Sequence, residues 1–499
     1  MSKRARSMRS AVAGAAALTT LVGLVTVVPA PGRAVAEAVF PFVLESAAAQ
    51  PATGTPMPAS GKHAALVRNT SAATTTVEGS GRVVLGAIAS NCEGWPTLRV
   101  TVDGTVRGDV RIEHTSQYGA HVVGTPVGPG RHTVRISLLN DYMTSATCDR
   151  NAFLASAEME YPLSAAFGTA VLFPPSRIAA LKERVAAETA PTFTAWNALR
   201  AVADANLTRE PAVPSAWMVP WAYGPDAAKG AEMVAKLRDQ ANAAYRLALA
   251  YRMSGDERYA VASARQITTW IRGVQSYSTA EDSSLAFAVN FPLMIVAADL
   301  LRPSTAFPAA TQQEFGAYLR TRAFAMSTIS HENNWGNWGL LLEVAAAAYL
   351  GDRMKFDQAA TRWKYFVANQ IAADGQMPRE LNRPGDPQGY RGVWYTSFAL
   401  HPQTLAAEIM RVNGLDLFYY RSPNGRTLRL AYERLVGWVH DPATYPYPAE
   451  TGYAYHVGHW ELLNLRWPNA KADTVLGWRR PVKDDSGSVG MTFTHGGLL

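Results

Sequence analysis

His331-Glu332-Asn333-Asn334-Trp335-Gly336-Asn337-Trp338 runs without a break into Gly339-Leu340-Leu341-Leu342-Glu343-Val344-Ala345. A polar mouth followed by a continuous apolar run is how a buried helix begins: Asn serves as its N-cap, and a Trp pair three apart packs on one face. The same carboxamides and indoles offer hydrogen-bond donors and flat faces, which suit an acidic sugar. A second cluster, Asp374-Gly375-Gln376-Met377-Pro378-Arg379-Glu380-Leu381-Asn382-Arg383 and then Tyr390-Arg391-Gly392-Val393-Trp394-Tyr395, adds guanidinium and phenol.

Outward from this stretch the apolar period stays near 3.6 from Phe173 onward. Ser176 reads as a helix cap ahead of Ile178, Leu181 and Val185, and Thr311 with Glu314 as a capping box ahead of Phe315, Tyr318 and Leu319. Three junctions look alike: Tyr251-Arg252-Met253-Ser254-Gly255-Asp256, Tyr349-Leu350-Gly351-Asp352 and Val412-Asn413-Gly414-Leu415-Asp416. Each reads as helix, Gly stop, acidic start, helix. Repeated helical hairpins predict an all-α incomplete (α/α) toroid over residues 170–499, with a central cleft. From Thr474 on the pattern weakens toward strand or tail.

The preceding region has a different period. Val83–Ile88, Leu98–Val102, Val110–Glu113 and His132–Leu138 are short, β-branched and partly alternating, with turn signals at Asp103-Gly104 and Gly128-Pro129-Gly130. They predict an N-terminal β-sandwich over 76–162, so the chain reads as multidomain. Residues 37–75, rich in Ala, Thr, Pro, Gly and Ser, read as a flexible linker. Residues 1–36 combine a basic start with an apolar run from Ala11 to Ala30 and small-residue cleavage sites, the pattern of a signal peptide. A secreted, extracellular protein follows, with no membrane partner after removal of that segment. The formal net charge of +7 owes much to the leader, so nucleic-acid binding has little support. Export also makes Cys92–Cys148 the expected disulfide, there being only 2 cysteines.

Cys92-Glu93-Gly94-Trp95-Pro96, Val102-Asp103-Gly104, Gly130-Arg131-His132, Leu139-Asn140-Asp141 and Cys148-Asp149-Arg150-Asn151 resemble, in order, the calcium-dependent, xylan-binding type of carbohydrate-binding module. The resemblance implies a xylan-like glycan as ligand and calcium near Asn140, Asp141 and Asp149. Read as residues alone, these three are equally turn-forming Asx side chains.

Asn334, Arg383 and Tyr395 form a chemically coherent set for cutting a uronate-containing chain by β-elimination. The proton α to an ionised carboxylate is too weakly acidic to remove unless Asn and Arg donors neutralise that carboxylate. Tyrosine becomes a base only if adjacent positive charge lowers its pKa. From Phe173 to Asn469 the helical region resembles the alginate lyases and related uronate-polysaccharide lyases of the (α/α) toroid type. The motifs are Asn333-Asn334-Trp335-Gly336-Asn337-Trp338, Asp374-Gly375 with Pro378, Glu380 and Arg383, Tyr395-Thr396-Ser397-Phe398-Ala399-Leu400, and His459-Trp460-Glu461 through Arg466-Trp467-Pro468. The resemblance implies a catalytic Asn at Asn334, a carboxylate-binding Arg at Arg383, and a Tyr that is base and then acid at Tyr395, without a cofactor. Asn333, Trp335, Trp338, Glu380, Arg391, His456 and Trp460 are the expected substrate contacts.

This sequence departs from the family in placing Trp335 where a His commonly follows the second Asn. His331, His401, His456 and His459 are the candidate substitutes, and Arg391 competes with Arg383 for the guanidinium role. On the residues alone, Tyr395 also suits a core position, Arg383 a structural pair with Glu380, and Trp338, Trp394 and Trp460 core packing. Two further functions stay open: a toroidal glycoside hydrolase, which needs a carboxylate pair from among Glu332, Glu343, Asp374 and Glu380, and a non-catalytic binder of acidic glycans.

Overall fold

The structure is a computed structural model that describes residues 42–45, 49–52, 63–113, 115, 118–162, 166–383, 389–447, 456–485, 487 and 489–497. The expected signal peptide lies outside these residues. Strands β1 (Val43–Leu44), β2 (Ala49–Ala52), β3 (His63–Leu66), β4 (Ala72–Ala89), β5 (Thr97–Val102), β6 (Thr105–Arg111), β7 (Gly119–Leu138) and β10 (Ala152–Pro162) form one 8-stranded antiparallel sheet. A short hairpin, β8 (Met143–Ser145) with β9 (Cys148–Asp149), stands apart from it. The sheet order is β2-β3-β10-β4-β7-β5-β6, with β1 on β4.

Alternation makes the sheet: Leu98, Val100, Val134, Ile136, Leu138, Leu85, Ala87 and Leu154 all turn inward and are fully buried. The β4–β7 ladder shifts register around Gly81, whose φ of +87° suits glycine alone and whose missing side chain leaves room for the Tyr161 ring. Cys92 and Cys148 are joined, closing a loop across a separation of 56 residues.

The stretch 37–75, expected as a linker, is a correction. It contains β1, β2, β3 and the start of β4, with Ala64 and Leu66 fully buried. These Ala-rich strands carry little intrinsic β preference, and pairing with β10 and β4 holds them in place.

The rest is helical: α1 (Pro175–Ala186), α2 (Thr192–Asn206), α3 (Ala227–Ser254), α4 (Glu257–Gly273), α5 (Ser283–Leu300), α6 (Ala309–Tyr318), α7 (Asn334–Leu350), α8 (Arg353–Gln370), α9 (Pro378–Leu381), α10 (Gly392–Val412), α11 (Leu428–His440), α12 (Trp460–Arg466), α13 (Ala470–Arg479) and α14 (Met491–His495). A short parallel pair, β11 (Ala216–Trp217) and β12 (Ser276–Tyr277), bridges two connections. The series α3 on α5, α5 on α7 and α7 on α10 forms the centre. Helices α5 and α7 are apolar on nearly every face because every face meets another helix. Among the described residues, α5 is the one helix long and apolar enough to cross a membrane, and it is buried in this core.

Two junctions match expectation. Gly255 (φ +77°) and Gly351 (φ +65°) end α3 and α7 in the left-handed conformation, and Asp256 and Asp352 cap α4 and α8. At the third, Asp416 accepts from the Phe418 backbone, but the next helix waits until Leu428, capped by Thr427. The other two expected caps also differ: α1 starts at Pro175 with Ser176 inside it, and α6 starts after Pro308 with Thr311 inside it. Proline in the first turn has its φ preset for a helix and lacks an N–H that the helix start would leave unpaired, so α1 begins at Pro175 without a hydroxyl cap. Beyond Thr474 the chain is helical in α13 and α14 rather than strand.

Sheet and helices share an interface on α8. The Tyr161 hydroxyl lies 2.7 Å from the Thr361 hydroxyl, Arg353 donates to the Tyr161 carbonyl at 2.9 Å and to Asp357 at 2.8 Å, and Ser80 hydrogen-bonds Asp357. Lys364 sits 3.7 Å from Glu160 and 4.5 Å from the Tyr161 ring.

Candidate active site

The site begins at the N-terminus of α7. Asn333 is extended and its side chain accepts from the Trp335 backbone at 3.2 Å, capping the helix. Gly336 and Gly339 let this first stretch lie against the turn before it: a Cβ on either would collide with backbone between Thr328 and His331. Asn334 is thereby held inward, 1% exposed, donating from its backbone N–H (2.7 Å) and its carboxamide Nδ2 (2.6 Å) to the two oxygens of Glu380.

Glu380, on the single turn α9, is also 1% exposed. Burial pushes its carboxyl pKa up, while Asn334 and Arg383 pull it back down. Arg383 reaches Glu380 at 3.4 Å, and its guanidinium lies 3.8 Å from the centroid of the Tyr395 ring. Tyr395, in the first turn of α10, completes the set. Asn334, Arg383 and Tyr395 therefore form one connected cluster through Glu380.

Tyr223 is the residue that sequence reasoning missed. It stands on the connection between β11 and α3, and its hydroxyl is 2.6 Å from that of Tyr395, with Arg391 donating to it at 3.2 Å. Glu281 accepts from the Trp221 backbone at 2.5 Å and Asp282 from the Ala222 backbone at 2.7 Å, pinning that connection. The signal was available in Trp217-Met218-Val219-Pro220-Trp221-Ala222-Tyr223-Gly224-Pro225, an aromatic stretch with two prolines that fits no helix.

The Tyr395 pKa corrects another expectation. Arg383 and Arg391 do pull the phenol down, but burial and the bond to Tyr223 outweigh them, and it is pushed up to about 12. In the free protein Tyr395 is a protonated phenol.

Several expected sugar contacts are placed elsewhere. Trp338 and Trp460 are fully buried, so neither offers a face; Trp338 stacks on His401 and Trp460 packs against Tyr432. Glu380 lies behind Asn334 and Arg383 rather than in the cleft. His456 has both nitrogens engaged, Nε2 accepting from Trp394 at 2.7 Å and Nδ1 against Asp485, and burial holds it neutral with a pKa down to about 4. His401 and His459 are buried against each other, and burial drives both pKa values down. His331 is exposed, its ring 5.1 Å from that of Trp335, which is itself half-exposed. Arg391 and Trp335 remain at the cleft with the cluster.

In the β region, Asn140 Oδ1 accepts from the Thr97 backbone at 2.6 Å and its Nδ2 donates to the Trp95 carbonyl at 3.0 Å. Asp141 and Asp149 line a cleft with Asn69 and Arg68, and Asp141 Oδ1 is buried without a hydrogen-bond partner. Among the described residues no three His, Cys, Asp or Glu side chains converge as a metal site.

An alginate lyase family model matches residues 216–445. That span contains Tyr223, Asn334, Glu380, Arg383 and Tyr395. Alginate lyase A1-III from Sphingomonas species A1 is similar at 18% identity over 66% of this chain and 99% of that one, with a TM-score of 0.51. A histidine-to-alanine variant of alginate lyase A1-III complexed with a tetrasaccharide is similar at 16% identity over 66% and 95%, with a TM-score of 0.53. At such identity the likeness is one of fold. A carbohydrate-binding module in complex with calcium and xylotriose aligns with 23% of this chain and 92% of that one, at 12% identity and a TM-score of 0.18, too low to carry an argument. No curated protein matches the sequence. The family match and the helical fold support an enzyme of the polysaccharide lyase class.

Proposed function

We propose that this protein is a secreted lyase that cleaves a uronate-containing polysaccharide, alginate or a glucuronan-like polymer, in the cleft of an incomplete (α/α) toroid. The supporting observation is the cluster itself: a guanidinium packed on the ring of Tyr395, and a buried carboxamide held beside it by Glu380. Arg383 and the second amide hydrogen of Asn334 neutralise the substrate carboxylate. The minor phenolate fraction of Tyr395, its own proton released to solvent, takes the proton α to that carboxylate, a double bond forms to the adjacent carbon, and the glycosidic oxygen leaves from that carbon. Tyr395, now protonated, returns the proton to the leaving oxygen. Low dielectric around the cluster strengthens each of these interactions.

The hydrolase reading needs two facing carboxylates. Of its four candidates, Glu380 is buried behind Asn334, Glu343 is buried on α7, Glu332 is paired with Arg362 at 2.8 Å, and Asp374 is turned onto Gln376. The elimination reading is therefore favoured. Its test is the ultraviolet absorbance of an unsaturated uronate product with alginate, polyglucuronate and glucuronoxylan. A rise that Tyr395→Phe abolishes supports it; new reducing ends without that absorbance would replace it by hydrolysis.

The N-terminal region is read as a glycan-binding β-sandwich formed by the long, bulged β4 and β7. Calcium there would rest on Asn140, Asp141 and Asp149, and is tested by whether calcium raises the melting temperature of the Asp141→Asn variant less than that of the wild type.

A further inference from the structure

Charge changes sign along the cleft. Arg383 and Arg391 stand at Tyr395, whereas beyond Tyr223 a cavity of about 470 Å³ is lined by Met218, Trp221, Trp335, Asp226, Glu281 and Asp282. The two regions are continuous: Trp335 follows Asn334, and the Trp221 ring lies 5.7 Å from that of Tyr223, which touches Tyr395. Trp221 is 53% exposed, a large apolar face left open to solvent. Glu281 and Asp226 are exposed beside it, and Asp226 is paired with Lys229 at 2.8 Å.

A chain charged on every unit, bound with one carboxylate at Arg383, would bring another toward these three acidic side chains, and like charges set close together repel. An uncharged pyranose meets no such penalty. Its axial C–H face packs on an indole, and its hydroxyls donate to carboxylates.

The geometry points to a subsite for an uncharged sugar unit at Trp221 and Trp335, next to the uronate position at Arg383. The preferred substrate is then a heteropolysaccharide in which a uronate is flanked by neutral sugar, rather than a polymer charged at every unit. This rests on the elimination reading for the uronate position and narrows its substrate class.

The test is a tryptophan-fluorescence titration of the full mature chain with xylohexaose, cellohexaose and mannohexaose and, separately, with hexaglucuronate. At least one neutral hexasaccharide is expected to bind, and Trp221→Ala to weaken it by about tenfold. The double variant Asp226→Asn/Glu281→Gln keeps an acceptor for the Trp221 backbone and is expected to raise the hexaglucuronate-to-neutral affinity ratio by about threefold or more at low salt. The subsite is overturned if no neutral hexasaccharide binds, or if hexaglucuronate binds best and the double variant leaves the ratio unchanged. Neutral binding that Trp221→Ala weakens, with no elimination product on any polymer, would sink the lyase reading and keep the subsite, whereas neutral binding that Trp221→Ala leaves unchanged belongs to the N-terminal region and overturns the subsite. Elimination on polyglucuronate without neutral binding would do the reverse.

Discussion

Tyr223 and Tyr395, 172 residues apart in the chain, share a hydroxyl-to-hydroxyl hydrogen bond of 2.6 Å. That bond is one of the two leading causes that push the Tyr395 phenol up to about 12, against the downward pull of Arg383 and Arg391. A loop residue thus adds to burial in holding the candidate base protonated.

Replacing Tyr223 by Phe removes the bond and lowers the Tyr395 pKa. Below that pKa the phenolate fraction grows tenfold for each pH unit, so the rate should rise with pH and the rising limb should move to lower pH in the variant. A profile of kcat/KM against pH checks this. An unmoved limb would remove Tyr395 from the base role or Tyr223 from control of it.

Glu380→Ala leaves the Asn334 N–H groups and the Arg383 guanidinium without their buried partner, a loss of about 3–5 kcal/mol in stability. Because burial raises the Glu380 pKa, its contribution is fully present below the ordinary carboxylate range and is lost as pH rises through the raised value. Glu380→Gln should flatten that loss. Denaturant unfolding of the three proteins between acid and neutral pH measures both effects.

Arg353→Ala removes the ion-pair partner of the largely buried Asp357, leaving it Ser80, and frees the Tyr161 carbonyl, at a cost of about 3–5 kcal/mol. The wild type is expected to unfold in one calorimetric transition and the variant in two, as the sheet separates from α8. One unchanged transition would mean that the remaining contacts of Tyr161 and Lys364 suffice.

Reducing Cys92–Cys148 releases a loop spanning 56 residues, worth about 4 kcal/mol if the constraint acts through unfolded-chain entropy. The melting temperature should fall on reduction, while turnover at low temperature persists because the bond lies in the β region. Loss of both together would tie the sheet to the active conformation.

Much of this was legible in the sequence because it rests on local rules. The Gly255 and Gly351 stops, the Asp256 and Asp352 caps and the alternation of β5 and β7 are read within a few residues. Asn334, Arg383 and Tyr395 were legible as chemistry, and the fold supplied their link through Glu380. What escaped depends on distant partners. Strand β3 is a strand because β10 and β2 pair with it, Trp338 and Trp460 lose their faces to neighbouring helices, and Tyr223 matters only because α10 brings Tyr395 to it.

Gly336 and Gly339 follow the open position Trp335 on α7, both pressed against the turn that precedes the helix. In a saturation library these two columns should be nearly monomorphic, since any side chain collides with backbone. Trp335, half-exposed just before them, can vary without moving the frame that holds Asn334. One helical turn therefore combines the least and the most replaceable positions of the site, and recognition of a new sugar can evolve there while the catalytic geometry stays in place.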